Sequence, residues 1–168
     1  MPEQYVEMVG QVEVATTAGE VLSVALEPRD AKACPQAVDA VSEADWVVLG
    51  PGSWYSSVIP HLLVADLRDA LCRTPAKVVV SMNLEPHLDE TRGYDLADHL
   101  DVLLRHAPDL PVHTVLVDPS AVHDGDRLAA TVAAAGARLE TTDLAADQPG
   151  VHDPQKLGAA YARLFEAN

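Results

Sequence analysis

Three short aliphatic runs decide what this chain can become: WVVLG from Trp46, AKVVVSMN from Ala76 and HTVLVD from His113. Each has the length and composition of a strand buried on both faces of a sheet. The gaps between them are far longer than a hairpin turn and carry helical patterns. After WVVLG, residues 58–71 place apolar side chains at helical spacing, with Asp66, Arg68 and Asp69 facing water. DLADHLDVLLRHA follows the second run, and DRLAATVAAAG follows the third, with Gly136 as its C-cap. Strand and helix alternating at this spacing predict a mainly parallel sheet flanked by helices, with 46–49, 77–82 and 113–117 as neighbours and right-handed crossovers.

The ends of the chain add to that core. Residues 35–44 read as a helix, with Ala37, Val38 and Val41 in one stripe. ARLETTD reads as a last short strand. In HDPQKLGAAYARLF, Asp153 caps a closing helix whose first position is Pro154. QVEVATTAGEVLSVALEP alternates on both sides of Ala18, Gly19 and Glu20, which predicts a β-hairpin over 11–26. The expectation is one α/β domain over 1–168, with a Rossmann-like parallel sheet and an N-terminal β-hairpin.

Composition narrows the partners. Of 168 residues, 26 are acidic and 11 are Lys or Arg, giving a formal charge of −15. Such a surface repels nucleic-acid phosphates and anionic membranes, so nucleic acid and membrane insertion are set aside. An anionic ligand then has to be met by local donors. Cys34 and Cys72 have no metal or redox spacing, and the first residues lack a basic region followed by an apolar run. These features predict a cytoplasmic protein with reduced thiols.

The loop GPGS at 50–53 lies where the first strand gives way to a helix. A P-loop needs a lysine that is absent, and a dinucleotide fingerprint needs glycine where Tyr55 stands. A nucleophile elbow needs glycines two before and two after Ser53, where Pro51 and Tyr55 are found. What remains is the physics these motifs share. Gly50 and Gly52 permit a tight turn and a close approach, and Ser53, Ser56 and Ser57 supply hydroxyls. Pro60 belongs in the first turn of the helix that follows, which starts that helix near Ser57. Ligands of open α/β sheets bind beyond the carboxyl ends of the strands, where this loop lies. A plain serine-capped turn explains the residues equally well.

Resemblance favours the ligand loop. ADWVVLGPGSWYSSVIPHLLVADLRDAL resembles the central motif of the CofD-like superfamily, in its YvcK branch of gluconeogenesis factors. NLEPHLDETRGYDLADHL is similar to the next block of that family, and GQVEVATTAGEVLSVALEP and VHDPQKL also match, closest to actinobacterial members. Family members are about twice as long and open with a glycine-rich phosphate loop, so the chain resembles their C-terminal half. His87, Leu88 and Asp89 replace the usual Gln-Pro-Gly.

Carried over by position, Gly50, Pro51, Gly52 and Ser53 match the second glycine loop of the family. Asn83 matches a strand-end asparagine, and Glu90, Thr91 and Gly93 match its Glu-Thr-x-Gly segment. With Ser56, these are the candidate ligand-binding residues, expected to converge in one cleft. A bulky residue at Gly52 is expected to block the ligand at little cost to the fold. The resemblance implies a UDP-sugar-binding regulator of cell-wall synthesis, cell shape and carbon metabolism. Two alternatives stay open. One is a transferase of the 2-phospho-L-lactate type, using a nucleotide-activated donor and magnesium. The other is an interaction or dimerisation domain, and a half-length chain is expected to bind weakly and to form homodimers.

Other side chains carry less. His87, Asp89 and Glu90 suit a divalent cation, but a solvated polar loop explains them better, and no metal or other cofactor is assigned. Asp95 with Asp98 suits a helix N-cap. His99 and His106 read as surface residues, and His61 and His113 as core or edge positions. Trp54 and Tyr55 suit stacking on a base or packing under the loop.

Overall fold

The computed structural model describes residues 6–17, 21–85 and 89–167. Its centre is a four-stranded parallel sheet in the order β1-β2-β3-β4. The strands are β1 (Trp46–Leu49), β2 (Lys77–Ser81), β3 (Val112–Val117) and β4 (Arg138–Thr141). Trp46 pairs with Lys77, Val79 with Thr114, and Val115 with Leu139. The pairing slips once between Val78 and Val79, where β2 meets the start of β3. The predicted neighbours, all parallel, are the observed ones.

Helices α1 (Gln11–Ala15), α2 (Pro35–Glu43), α3 (Pro60–Leu63), α4 (Ala65–Arg73), α5 (Leu96–His106), α6 (Gly125–Ala134) and α7 (Pro154–Glu166) complete the domain. Their ends follow local chemistry. At α5 the Asp95 side chain accepts from Asp98 N–H, and Asp98 returns the bond to Asp95 N–H, both at 2.9 Å. Arg127 of α6 then clamps both carboxylates, at 2.5 Å to Asp95 and 2.7 Å to Asp98. Asp153 accepts from Gln155 and Lys156 N–H at the start of α7, as its position before Pro154 predicts.

Side-chain alternation along the strands builds two cores. Val78, Val80, Val115 and Val117 pack with Leu62, Leu71, Leu100 and Leu128 of the crossover helices. Val79 and Leu116 point the other way and meet Leu144, Ala160 and Leu164, so α7 closes the opposite face.

Two sequence expectations are corrected. The β-hairpin over 11–26 does not form: Gln11–Ala15 is helical, 21–26 is not strand, and its tip lies outside the described residues. Gln11 donates its side-chain amide to Ser56 C=O at 2.7 Å, and Val14 packs on the core. Those tertiary contacts override the alternation of Val12 and Val14. The helix over 58–71 is also broken. A π-helical segment at Trp54–Val58 is followed by α3, with Pro60 in its first turn. Val64 is extended, and α4 starts after it. No helix among the described residues is long and apolar enough to cross a membrane.

Candidate functional site

The glycine loop leaves the carboxyl end of β1 and is fixed to the end of β2. Gly50 has φ +78°, and a Cβ there would stand 2.5 Å from the Ser81 carbonyl oxygen. Only glycine lets β1 and β2 finish this close together. The Gly50–Pro51 peptide is cis. Asn83, two residues beyond β2, reads the loop backbone twice. Its Oδ1 accepts from Gly52 N–H and its Nδ2 donates to Gly52 C=O, both at 2.9 Å. Gly52 has φ +155°, a conformation that strains any side chain, although the nearest atom to an added Cβ is 3.6 Å away. A bulky residue at Gly52 therefore disturbs the fold as well as the loop, contrary to the sequence expectation.

Glu90 reaches the same place from a 3-10 turn at Asp89–Thr91. It is 3% exposed, and its Oε1 accepts from Tyr55 N–H at 2.7 Å, inside the π-helical segment. Burial raises the Glu90 pKa, and the Tyr55 N–H and Ser56 hydroxyl offset only part of that rise. Its Oε2 has no hydrogen-bond partner. An internal carboxylate thus holds the start of the segment that follows the glycine loop.

A raised native pKa means that the folded state holds a proton which the unfolded chain has released. Stability therefore falls as pH rises from the ordinary glutamate range through the raised value, and then levels. Glu90→Gln removes this dependence and keeps an oxygen for Tyr55 N–H. Urea titrations at several pH values should show wild type losing ground to the variant on going from acid to neutral. The opposite trend would disprove the burial argument.

Asn83 meets the loop at Gly52 and Glu90 meets Tyr55 just beyond it, and the candidate residues differ in access. Ser53 and Gly93 are exposed, Gly50, Pro51, Gly52 and Asn83 are half-buried, and Ser56, Glu90 and Thr91 are buried. Trp54 and Tyr55 are buried as well, so both pack beneath the loop rather than offering a face for a base. The Tyr55 and Tyr94 hydroxyls lie 2.9 Å apart, and burial pushes the Tyr55 phenol up.

His99 departs from the expected surface position. It is 1% exposed, edge-on to Trp54 with ring centroids 4.9 Å apart, and its Nδ1 is 2.8 Å from Asp95 C=O. His61 is exposed, and His113 is exposed against Trp46. His87 lies outside the described residues. No cluster of three His, Cys, Asp or Glu with metal-binding geometry occurs among the described residues.

Sequence reasoning missed Asp118. Buried at the end of β3, it accepts from Ser120 N–H at 2.8 Å and from the Ser120 hydroxyl at 2.5 Å. Its other oxygen accepts from Leu144 N–H at 2.6 Å and Ala145 N–H at 3.0 Å. Burial acts to raise its pKa, but these donors outweigh it and hold the carboxyl below its ordinary range. The available signal was an aspartate ending an apolar strand just before Pro-Ser, a turn-forming arrangement. His152, on the loop that Asp118 holds, has a buried Nε2 without a partner, and burial lowers its pKa.

A parallel α/β sheet with a clamped glycine loop at its carboxyl edge defines a class of protein built to present a loop beyond its strands. Within that class, residues 3–157 match the family model described as 2-phospho-L-lactate transferase CofD, and the chain belongs to the CofD family. It is 44% identical over 153 residues to a Mycobacterium tuberculosis protein named "Putative gluconeogenesis factor", covering 89% of this chain and 45% of the relative. A Deinococcus radiodurans protein of the same name is 35% identical, covering 85% of this chain and 33% of the relative. A crystal structure of an upf0052 family protein from Bacillus halodurans superposes with a TM-score of 0.78 at 26% identity. It covers 91% of this chain and 54% of that one. The chain thus spans less than half the length of those two curated relatives.

Proposed function

We propose that this chain binds a nucleotide sugar, of the UDP-sugar kind, at the 50–53 loop, and acts as a regulator linked to carbon metabolism, cell-wall synthesis and cell shape. The carrying observation is the loop itself, held by Asn83 at the carboxyl edge of β1 and β2, with Ser53 exposed at its mouth. The diphosphate would lie along the loop, and the 90–93 segment would flank the nucleoside or sugar. Magnesium would arrive with the diphosphate. Membership of the CofD family and the gluconeogenesis-factor relatives support this reading.

A thermal-unfolding screen of UDP- and GDP-sugars tests it. A ligand that binds the folded state stabilises it by mass action, by about 2.7 kcal/mol at a hundredfold excess over Kd, and so raises the midpoint. We expect a rise at millimolar UDP-sugar, abolished by Ser53→Asp, which sets a like charge against the phosphates without touching the core. Calorimetry should give a Kd weaker than micromolar for the 168-residue chain. No rise with any nucleotide sugar, or a rise indifferent to Ser53→Asp, would overturn the assignment and favour an interaction module. The family description also motivates a phospholactyl-transferase reading, and turnover with a nucleotide-activated donor would favour it.

A further inference from the structure

At the opposite end of the sheet from the glycine loop, a cleft of about 650 Å³ crosses the amino ends of β2, β3 and β4. Thr74, Pro111 and Gly136 form part of its wall. Its titratable side chains are Lys77, His113 and Arg138, one from each strand. Among the described residues no carboxylate lines it. In a chain with 26 acidic residues against 11 Lys or Arg, a cleft lined by basic groups alone runs against the composition.

Strand geometry gathers the cluster. Val78 pairs with Val112 and Val79 with Thr114, so His113 is the extra residue of a β-bulge. A bulge re-aims the side chain it carries. Here the imidazole stands edge-on to Trp46, with ring centroids 5.7 Å apart, and Lys77 Nζ lies 5.0 Å from the centroid of the same indole. Arg138 pairs with Thr114, the residue after His113, which brings the third basic group alongside. Adjacent strands are about 4.8 Å apart, so the long Lys77 and Arg138 side chains can close on a group held over β3.

Like charges placed together cost free energy unless something offsets them. Burial first, and then the charges of Lys77 and Arg138, hold the His113 pKa below its ordinary value. Other cations of the chain sit tightly on carboxylates: Arg127 meets Asp98 at 2.7 Å and Lys156 meets Asp143 at 2.9 Å. Arg138 reaches Glu140 only at 3.7 Å, so an arriving anion competes with a long contact. The Nδ1 of His113 is engaged by the Thr114 hydroxyl at 2.8 Å, which leaves Nε2 to face a ligand.

We infer that this cleft is a binding site for a phosphate dianion, free or as a small monoester, with Lys77, His113 and Arg138 as its donors. A carboxylate offers two oxygens in one plane. A phosphate offers three that diverge, one toward the donor of each strand, and its two charges match the two fixed cations.

The inference is independent of the nucleotide-sugar reading, and NMR on the labelled 168-residue chain tests it. Sodium phosphate, or glycerol phosphate as the monoester, replaces sodium chloride at constant ionic strength. The expected result is saturable shifts of the Lys77, His113 and Arg138 amides at millimolar phosphate, with the His113 imidazole moving toward its protonated form. The tighter of the two probes identifies the source of the phosphate. Lys77→Gln and Arg138→Gln should each weaken binding about tenfold or more, and acetate should bind weaker by a similar factor. Ser53→Asp, at the far end of the sheet, should leave the response unchanged. No saturable shift, shifts confined to the 50–53 loop, an equal response to acetate, or glutamine variants that bind like wild type would each overturn the inference. The location of the shifts in wild type decides the matter even if a variant proves unstable.

Discussion

Asp118→Ala is expected to destabilise the domain by about 3 kcal/mol or more, the largest loss among the polar residues of the carboxyl edge. Asp118 gathers four hydrogen bonds, and two of them come from Leu144 and Ala145 on the loop that leads to α7. Truncation strands these donors, and Leu144 is fully buried, so water cannot replace the lost acceptor at its N–H. For a chain of this length the loss lowers Tm by roughly 6–12 °C. Asp118→Asn keeps a carbonyl oxygen but loses the charge and one acceptor, so it should fall between. Because the native carboxyl is held below its ordinary range, this contribution is present above the unfolded pKa and is lost as pH falls through the native one. The gap between wild type and Asp118→Ala should therefore shrink in acid. A gap that widens in acid, or an alanine variant within 1 kcal/mol of wild type, would show that the loop is held by other means.

Gly50→Ala carries the second large effect. An added Cβ meets the Ser81 carbonyl oxygen at 2.5 Å, and that oxygen belongs to the backbone of a central strand, so it has little freedom to retreat. The left-handed backbone at Gly50 adds roughly 1–2 kcal/mol for any residue with a Cβ. Gly93 separates the two causes, since it has φ +83° and nothing within 4 Å of an added Cβ. Gly93→Ala should cost only the conformational part, whereas Gly50→Ala should cost about 3 kcal/mol or more in chemical denaturation. Equal losses for the two variants would mean that the strand ends can move apart.

The successes and the failures of sequence reasoning have different physical ranges. Strands 46–49 and 113–117 were legible because burial on both faces imposes an uninterrupted aliphatic run. The cap at Asp153 was legible because its donors lie two and three residues away. The helical Gln11–Ala15 segment was not, because a partner 45 positions distant, Ser56, helps to set it. Glu90 and Tyr55 are 35 positions apart, and nothing local to a glutamate in a polar loop reveals that it will be buried. The glycine loop itself was visible as a motif. The grip of Asn83 on Gly52 spans 31 positions and emerges only when parallel strands bring β1 and β2 to a common end.

That grip has a kinetic consequence. With the Gly52 N–H and C=O both satisfied by Asn83, a ligand of the proposed site would meet a loop with little left to order. Encounter then needs no rearrangement of the receptor, so arrival should differ little among molecules of similar size and charge. Ligands of the proposed site would then be told apart mainly by how long each stays.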